Sequence, residues 1–161
     1  MGQTKRSSYA HYYDTSDSGT TPNWVREGVG VEALSLTYNA QKDTYKTILS
    51  DNADTQFQNY QIQSAVSGKR IDKTDAIWTW LNKARRKTTF IETKMLEVDM
   101  STGTGSTGSA YEAMQYDILI TFNEFLGENA TISYDIDVKG MPTPGTVTIT
   151  GGKPSFTASA D

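Results

Sequence analysis

The segment from residue 131 to residue 138 alternates apolar and polar side chains without interruption. Because successive side chains of an extended chain point to opposite faces, this pattern predicts a β-strand with one buried face and one wetter face. A chain with such a strand must also supply the rest of a sheet and a core on one side of it. The apolar face carries Ile132, Tyr134, Ile136 and Val138, and the polar face carries Ser133, Asp135 and Asp137.

Other parts of the chain share this β character. There are 23 threonines, 14 serines and nine tyrosines, and β-branched and aromatic residues suit the half-buried surface of a sheet. Apolar runs bounded by turn-forming residues predict more strands, with a turn at 39–43 and a hairpin loop at 101–109. The predicted strands are 28–38, 44–49, 89–100, 111–124 and 146–150, the last of them after a break at Pro142 and Pro144.

One segment, 75–87, has helical periodicity instead. Its apolar residues recur at i, i+3, i+4 and i+7, which places them on one face of an amphipathic helix that packs on the sheet. Thr74 is the predicted N-cap. The fold class is therefore mainly β, a β-sandwich or barrel with one flanking α-helix. The predicted packing face of the helix consists of Ile77, Trp80, Leu81 and Ala84.

Two stretches are too polar to predict core elements. Residues 1–24 are low in aliphatic side chains and are expected to form a flexible polar N-terminal arm. Residues 50–68 are expected to form a long loop, and long loops in compact domains usually have a function. The remainder, 25–161, has the size of a single domain.

The sequence offers little for catalysis. Cysteine is absent, and the single histidine, His11, falls in the predicted arm, whereas a catalytic base needs a rigid scaffold. Asp135 and Asp137 share a strand face, so a hydrolase with paired carboxylates is conceivable, although such pairs also arise by chance on acidic strands. We expect no enzymatic activity, no cofactor and no bound metal. No apolar run approaches the ~20 residues of a membrane span, so we expect a soluble protein.

Charge is segregated along the chain, whose formal net charge is −4. Residues 69–87 contain seven basic and two acidic side chains, whereas residues 92–137 contain one basic and nine acidic side chains. Opposite charges on one molecule attract copies of it head to tail. The other interpretation is that both segments form solvated faces of a monomer.

Several segments, in this order, carry a resemblance to a known family. They are 38–48, 50–55 together with Tyr60, 65–77 ahead of the helix, 138–149 and 153–157. In order and spacing, the chain from about 25 to 157 resembles the major tail protein, or tail tube protein, of bacteriophages with long, non-contractile tails. The resemblance implies a β-sandwich with one flanking helix, whose copies form hexameric rings that stack around a lumen.

The resemblance also implies roles for particular segments. Residues 39–73 would form a long loop or hairpin that reaches the neighbouring ring, 75–87 the flanking helix, and strands within 111–138 the lumen wall. The candidate lumen-facing residues are Ser133, Asp135 and Asp137, and the competing interpretation turns this face outward to solvent. The candidate inter-ring residues are Asp51, Asp54, Phe57, Tyr60, Lys69 and Arg70.

The implied partners are other copies of the chain, a tail tip or initiator complex, a tape measure protein and a tail terminator. DNA would pass through the lumen without sequence-specific binding, and no membrane is involved. The protein would be assembled in the host bacterial cytoplasm and reside in the virion tail. The alternative function is a monomeric β-sandwich binding module for a carbohydrate or a receptor.

Overall fold

The computed structural model describes residues 8–16, 21–28, 31, 34–49, 52–103, 110–126 and 130–159. Within these residues the chain is mainly β with one helix, as the sequence predicts. The elements are β1 (Tyr9–Asp14), β2 (Trp24–Glu27), β3 (Ala40–Tyr45), β4 (Asp54–Tyr60), β5 (Gln63–Arg70), α1 (Ala76–Arg86), β6 (Ile91–Asp99), β7 (Ala110–Phe125), β8 (Thr131–Thr150) and β9 (Lys153–Ala158).

Seven of the strands form one antiparallel sheet in the order β2-β1-β6-β7-β8-β5, with β9 added to β8. β5 pairs with the first half of β8 and β9 with the second half. The sheet curls until β9 approaches β2, where the Lys153 ammonium donates a hydrogen bond of 3.1 Å to the Trp24 carbonyl. The result is a nearly closed barrel, flanked by α1.

β7 and β8, the two longest strands, are paired with each other in the interior of the sheet. The break predicted at Pro142 and Pro144 does not occur, since β8 continues from Thr131 to Thr150. An irregularity in the pairing with β7, next to Gly140 at a φ of 68°, absorbs the distortion. Proline is tolerated in a sheet at such irregularities, where its missing N–H is not needed.

Two apolar cores lie on opposite faces of the sheet, because neighbouring residues of one strand are buried in different cores. Met95 and Leu96 are consecutive and both fully buried, one in each core. The first core joins the sheet to α1 and contains Tyr13, Ile62, Val66, Ile77, Leu81, Met95, Tyr116, Ile118, Ile120, Tyr134 and Ile136. The second lies where the sheet curls and contains Ala10, Tyr12, Trp24, Leu96, Val98, Ala113 and Val147.

The prediction of a flexible arm over 1–24 is wrong for the residues described there. β1 pairs with both β2 and β6, and Tyr12 and Tyr13 are buried on its two faces. A tyrosine supplies a large apolar ring, and its hydroxyl needs only one polar partner when buried. The Tyr13 hydroxyl has such a partner, the Tyr134 hydroxyl at 3.2 Å. His11 accordingly lies half-buried in a strand and is not an exposed residue of an arm.

The helix is shifted slightly from its predicted bounds. Asp75, not Thr74, is the N-cap, and its carboxylate accepts a hydrogen bond from the Ile77 N–H. Of the predicted packing face, Ile77 and Leu81 are fully buried, whereas Trp80 and Ala84 are half-buried. Trp78, which the helical periodicity does not place on this face, is also buried and stacks on Phe125 with ring centroids 6.0 Å apart.

The segment between β2 and α1 also departs from prediction. The described part of 28–38 contains no strand, only an isolated bridge from Thr37 to Gln63. The predicted turn at 39–43 lies mostly in β3, and the predicted loop at 50–68 contains β4 and most of β5. β3 and β4 are poor in apolar residues, and they contribute to neither core.

Candidate assembly surfaces

β3 and β4 form a two-stranded sheet of their own, which pairs with no strand of the main sheet. We call residues 40–60 the 40–60 hairpin. Every residue of β4 is exposed, and five of the six residues of β3 are exposed. An isolated two-stranded hairpin is marginally stable in water and gains most from packing against another surface.

The tip of this hairpin is aliphatic. Ile48 and Leu49 are 102% and 93% exposed, so both side chains are almost entirely open to solvent. Beside the tip, the Tyr45 hydroxyl donates to the Asp54 carboxylate at 3.1 Å, which ties the two strands together across their ends. The tip therefore presents two exposed apolar side chains at the end of two strands that a side-chain hydrogen bond holds together.

The base of the hairpin carries three partly exposed aromatic rings. Tyr60 lies 5.5 Å from Tyr38 and 4.8 Å from Phe57, measured between ring centroids, and each ring is about half exposed. The base is attached to the main sheet through the bridge of Thr37 to Gln63. It therefore has a defined position next to the edge strand β5.

Some of the predicted inter-ring residues meet on this hairpin and others do not. Asp54, Phe57 and Tyr60 all lie on β4 and are exposed. Asp51 lies outside the described residues. Lys69 and Arg70 belong to β5 in the main sheet; Arg70 is exposed, but Lys69 is fully buried, so its assignment to an inter-ring loop is wrong.

Lys69 is the centre of a buried polar network. Its ammonium lies 2.6 Å from the Glu27 carboxylate and 2.9 Å from the Asp75 carboxylate, and both carboxylates are buried. The second Glu27 oxygen accepts a hydrogen bond of 2.8 Å from the Tyr134 hydroxyl. Burial, followed by the nearby Tyr13 and Glu27, raises the pKa of Tyr134 well above its usual value. The network joins β2, β5, β8 and the N-cap of α1, and no part of it is available to a partner.

Ser133, Asp135 and Asp137 lie, as predicted, on the face of β8 opposite its buried residues. All three are half-buried, and the Ser133 hydroxyl accepts a hydrogen bond from the Gly68 N–H at 3.0 Å. Within the described part of the chain, neither aspartate has an ion-pair partner. The lysines of this face are paired: Lys139 lies 3.2 Å from Glu92, and Lys94 lies 3.9 Å from Asp117. We call this surface the β8 polar face; its uncompensated charge is negative.

A groove of about 600 Å³ lies beside the C-terminal half of α1. The sequence did not predict this groove. Half-buried Trp80 and Ala84 and exposed Phe90 contribute its apolar lining, which is why the predicted packing face of α1 is incompletely buried. The only sequence signal was a second aromatic residue shortly after the helix. We call this surface the α1 groove. Its lining combines apolar and charged side chains: Trp80, Ala84, Phe90 and Ile91 with Lys83, Lys87, Lys94, Asp14 and Glu92.

The described residues contain no group of three or more histidine, cysteine or acidic side chains arranged to hold a metal ion. His11 lies 4.0 Å from Glu97 across β1 and β6. Desolvation, and to a lesser degree Arg26, lowers the pKa of His11 to about 4, whereas burial raises the pKa of Glu97. The Glu97 carboxylate also accepts a hydrogen bond of 3.2 Å from the Tyr116 hydroxyl.

Neither a scan against models of known protein families nor a search of curated proteins finds a match to this chain. Among the residues that the structure describes, no helix has the length and apolar character needed to cross a membrane.

Proposed function

We propose that this chain is a structural subunit of a phage tail tube, which assembles as stacked hexameric rings around a lumen that conducts DNA into the host. The observation that carries this proposal is the 40–60 hairpin, which is paired only with itself and ends in exposed Ile48 and Leu49. Burying a leucine or isoleucine side chain is worth about 1.5–3 kcal/mol. The hairpin therefore gains free energy when another subunit covers its tip.

The β8 polar face supports the same proposal as a lumen wall. DNA carries one negative charge per about 1.7 Å of duplex axis. Unpaired lysines or arginines on the lumen wall would therefore bind the DNA that has to slide past them. Asp135 and Asp137 repel phosphate, and the nearest lysines, Lys94 and Lys139, are each within 4.0 Å of a carboxylate. A face of this charge suits the passage of DNA without sequence-specific binding.

The proposal extends to partners and place. The tube would begin on a tail tip or initiator complex, enclose a tape measure protein and end at a tail terminator. Assembly would occur in the host bacterial cytoplasm, and the mature protein would reside in the virion tail. Its role would be structural, without enzymatic turnover.

Electron microscopy of the concentrated protein, with its mass from light scattering, tests the proposal. We expect hollow rings or striated tubes, and we expect Ile48→Ser with Leu49→Ser to abolish stacking by removing the apolar tip. Met141→Ser is the matched control, because Met141 is 91% exposed but lies outside the hairpin. A protein that stays monomeric even with a tail tip complex, or a tip variant that stacks normally, overturns the proposal.

The alternative, a monomeric binding module for a carbohydrate or receptor, is favoured by one observation, the exposed aromatic cluster of Tyr38, Phe57 and Tyr60. Aromatic rings with one free face stack on the apolar faces of sugars. A monomer that binds an oligosaccharide in calorimetry, and loses that binding in Tyr60→Ala, would establish the alternative.

A further inference from the structure

We infer that the α1 groove of one subunit receives the tip of the 40–60 hairpin of a second copy of the chain. This inference rests on the proposed self-assembly and deepens it, because it names the surface that covers Ile48 and Leu49. The two surfaces are different patches of one molecule, so the contact is heterologous and continues from subunit to subunit.

The apolar parts of the two surfaces match. The tip offers two aliphatic side chains that are almost entirely open to solvent. The α1 groove offers Trp80, Ala84 and Phe90, of which Phe90 is 55% exposed. The open groove has a volume of about 600 Å³, which is comparable to that of ligand-binding pockets and leaves room for the two side chains. Covering Phe90 and the tip together removes both from water.

The charges of the two surfaces are also complementary. The 40–60 hairpin contains two lysines and three aspartates, a net charge of −1. The α1 groove contains three lysines and two carboxylates, a net charge of +1. Two of these charges are already paired outside the groove, since Glu92 lies 3.2 Å from Lys139 and Lys94 lies 3.9 Å from Asp117. Lys87, at the C-terminal end of α1, adds a positive charge that approaching Asp54 would meet.

Two other surfaces, at Met141 and at the base of the hairpin, fit the tip less well. Met141 stands alone on an irregular stretch of β8, beside Gly140 and Pro142. The pocket beside the attachment of the hairpin base is lined by Thr37, Asn39, Asp135 and Asp137, so its charge repels the acidic hairpin. Only the α1 groove, among these surfaces, combines aromatic side chains with basic ones.

Disulfide cross-linking tests the contact cleanly, because the chain contains no cysteine of its own. Variants Ile48→Cys and Phe90→Cys are purified separately, mixed in equal amounts and oxidised. We expect a covalent heterodimer, and a ladder of larger species from the double variant. Ile48→Cys with Met141→Cys is the matched control and should give no heterodimer. A control pair that cross-links as well as Ile48→Cys with Phe90→Cys, or no heterodimer from either pair, overturns the inference.

A second variant blocks the groove without cysteine chemistry. Ala84→Trp places a large ring in the α1 groove and should remove most of the sedimentable assembly while the unfolding temperature stays near that of the parent. Thr79→Trp is the matched control, because Thr79 is exposed on the same helix and does not line the groove. Equal assembly of the two variants would contradict the inference.

The outcomes separate this inference from the proposed function. Tubes in the microscope without a heterodimer leave the tail tube standing and refute the groove contact. A heterodimer without rings or tubes, even when a tail tip complex is added, establishes the contact and refutes the tube.

Discussion

The role of Lys69 follows from the side chains around it, and its neighbours in the sequence do not predict which side chains these are. It lies in a polar stretch, yet it is fully buried between two carboxylates that come from distant parts of the sequence. A buried ammonium needs such partners, because taking an isolated charge out of water is very costly. Lys69 therefore supplies the positive charge between the two carboxylates, and the network fixes the N-cap of α1 against β2 and β5.

Replacing Lys69 tests this dependence. Lys69→Met leaves Glu27 and Asp75 buried side by side without a cation, and we expect the free energy of unfolding to fall by about 3–5 kcal/mol. Arg70→Met, at the neighbouring exposed position, should change it by less than about 0.5 kcal/mol. Urea unfolding followed by tryptophan fluorescence measures both. Equal, small effects would show that the network contributes little to stability.

His11 predicts a pH dependence whose direction follows from its environment. Desolvation first, and Arg26 second, lower the pKa of His11 from 6.5 to about 4 in the folded protein. Between these values the unfolded chain binds the proton and the folded one does not, so stability falls as pH falls from 6.5 towards 4. At pH 4.5 we expect about 2–3 kcal/mol less stability from this group than at pH 7.

The control for this effect is His11→Gln, which cannot titrate. Carboxylates such as Asp72 and Asp99, whose pKa values are lowered, also lose stabilising interactions as the pH falls. They are common to both proteins, so the difference between parent and variant isolates His11. Urea unfolding at pH 7 and pH 4.5 should show a steeper loss for the parent, and parallel losses would contradict the assignment.

At the scale of elements, the sequence predicts best where one face of a strand is buried along its length. The first half of β8 follows strict alternation, and it is a strand with the predicted face inward. β1 escapes prediction because consecutive Tyr12 and Tyr13 are buried in different cores, which hides the period of two. β3 and β4 escape it because hydrogen bonding between them, without a core, leaves no apolar pattern.

The candidate site shows the same limit. The sequence places Asp54, Phe57 and Tyr60 on one segment. The burial of Lys69, in contrast, depends on Glu27 and Asp75, and the sequence neighbours of Lys69 reveal neither contact. The α1 groove likewise forms from helix, connection and strand only after the chain has folded.

The junction of β8 and β9 rests on the absence of a side chain at Gly145. A Cβ atom at this position would lie 2.6 Å from the ring of Phe156 and would also collide with the Thr157 carbonyl oxygen. Because that carbonyl belongs to the β9 backbone, Gly145→Ala must push the strands apart, and we expect a loss of about 1–3 kcal/mol. Gly28→Ala is the control, since a Cβ there meets nothing within 4 Å. Similar urea midpoints for the two variants would contradict this explanation.

At the scale of the whole molecule, stability and assembly fall in different parts of the chain. Both cores lie in the seven-stranded sheet and its helix, whereas none of the described residues of the 40–60 hairpin is buried in either core. The charges divide in a similar way, with exposed lysines and arginines around α1 and unpaired carboxylates on the β8 polar face. A molecule built like this can lose its hairpin and remain folded.

Removing the hairpin tests this separation. The Gln61 N–H donates a hydrogen bond of 3.2 Å to the Asn39 carbonyl, so the chain ends flanking residues 40–60 are already adjacent. Replacing 40–60 with a short glycine-rich turn should therefore change the free energy of unfolding by no more than about 1 kcal/mol, since no core side chain is lost. The same variant should be monomeric by light scattering at concentrations where the parent forms rings or tubes. A variant that unfolds would show that the hairpin supports the sheet, and one that assembles normally would show that subunits meet through other surfaces.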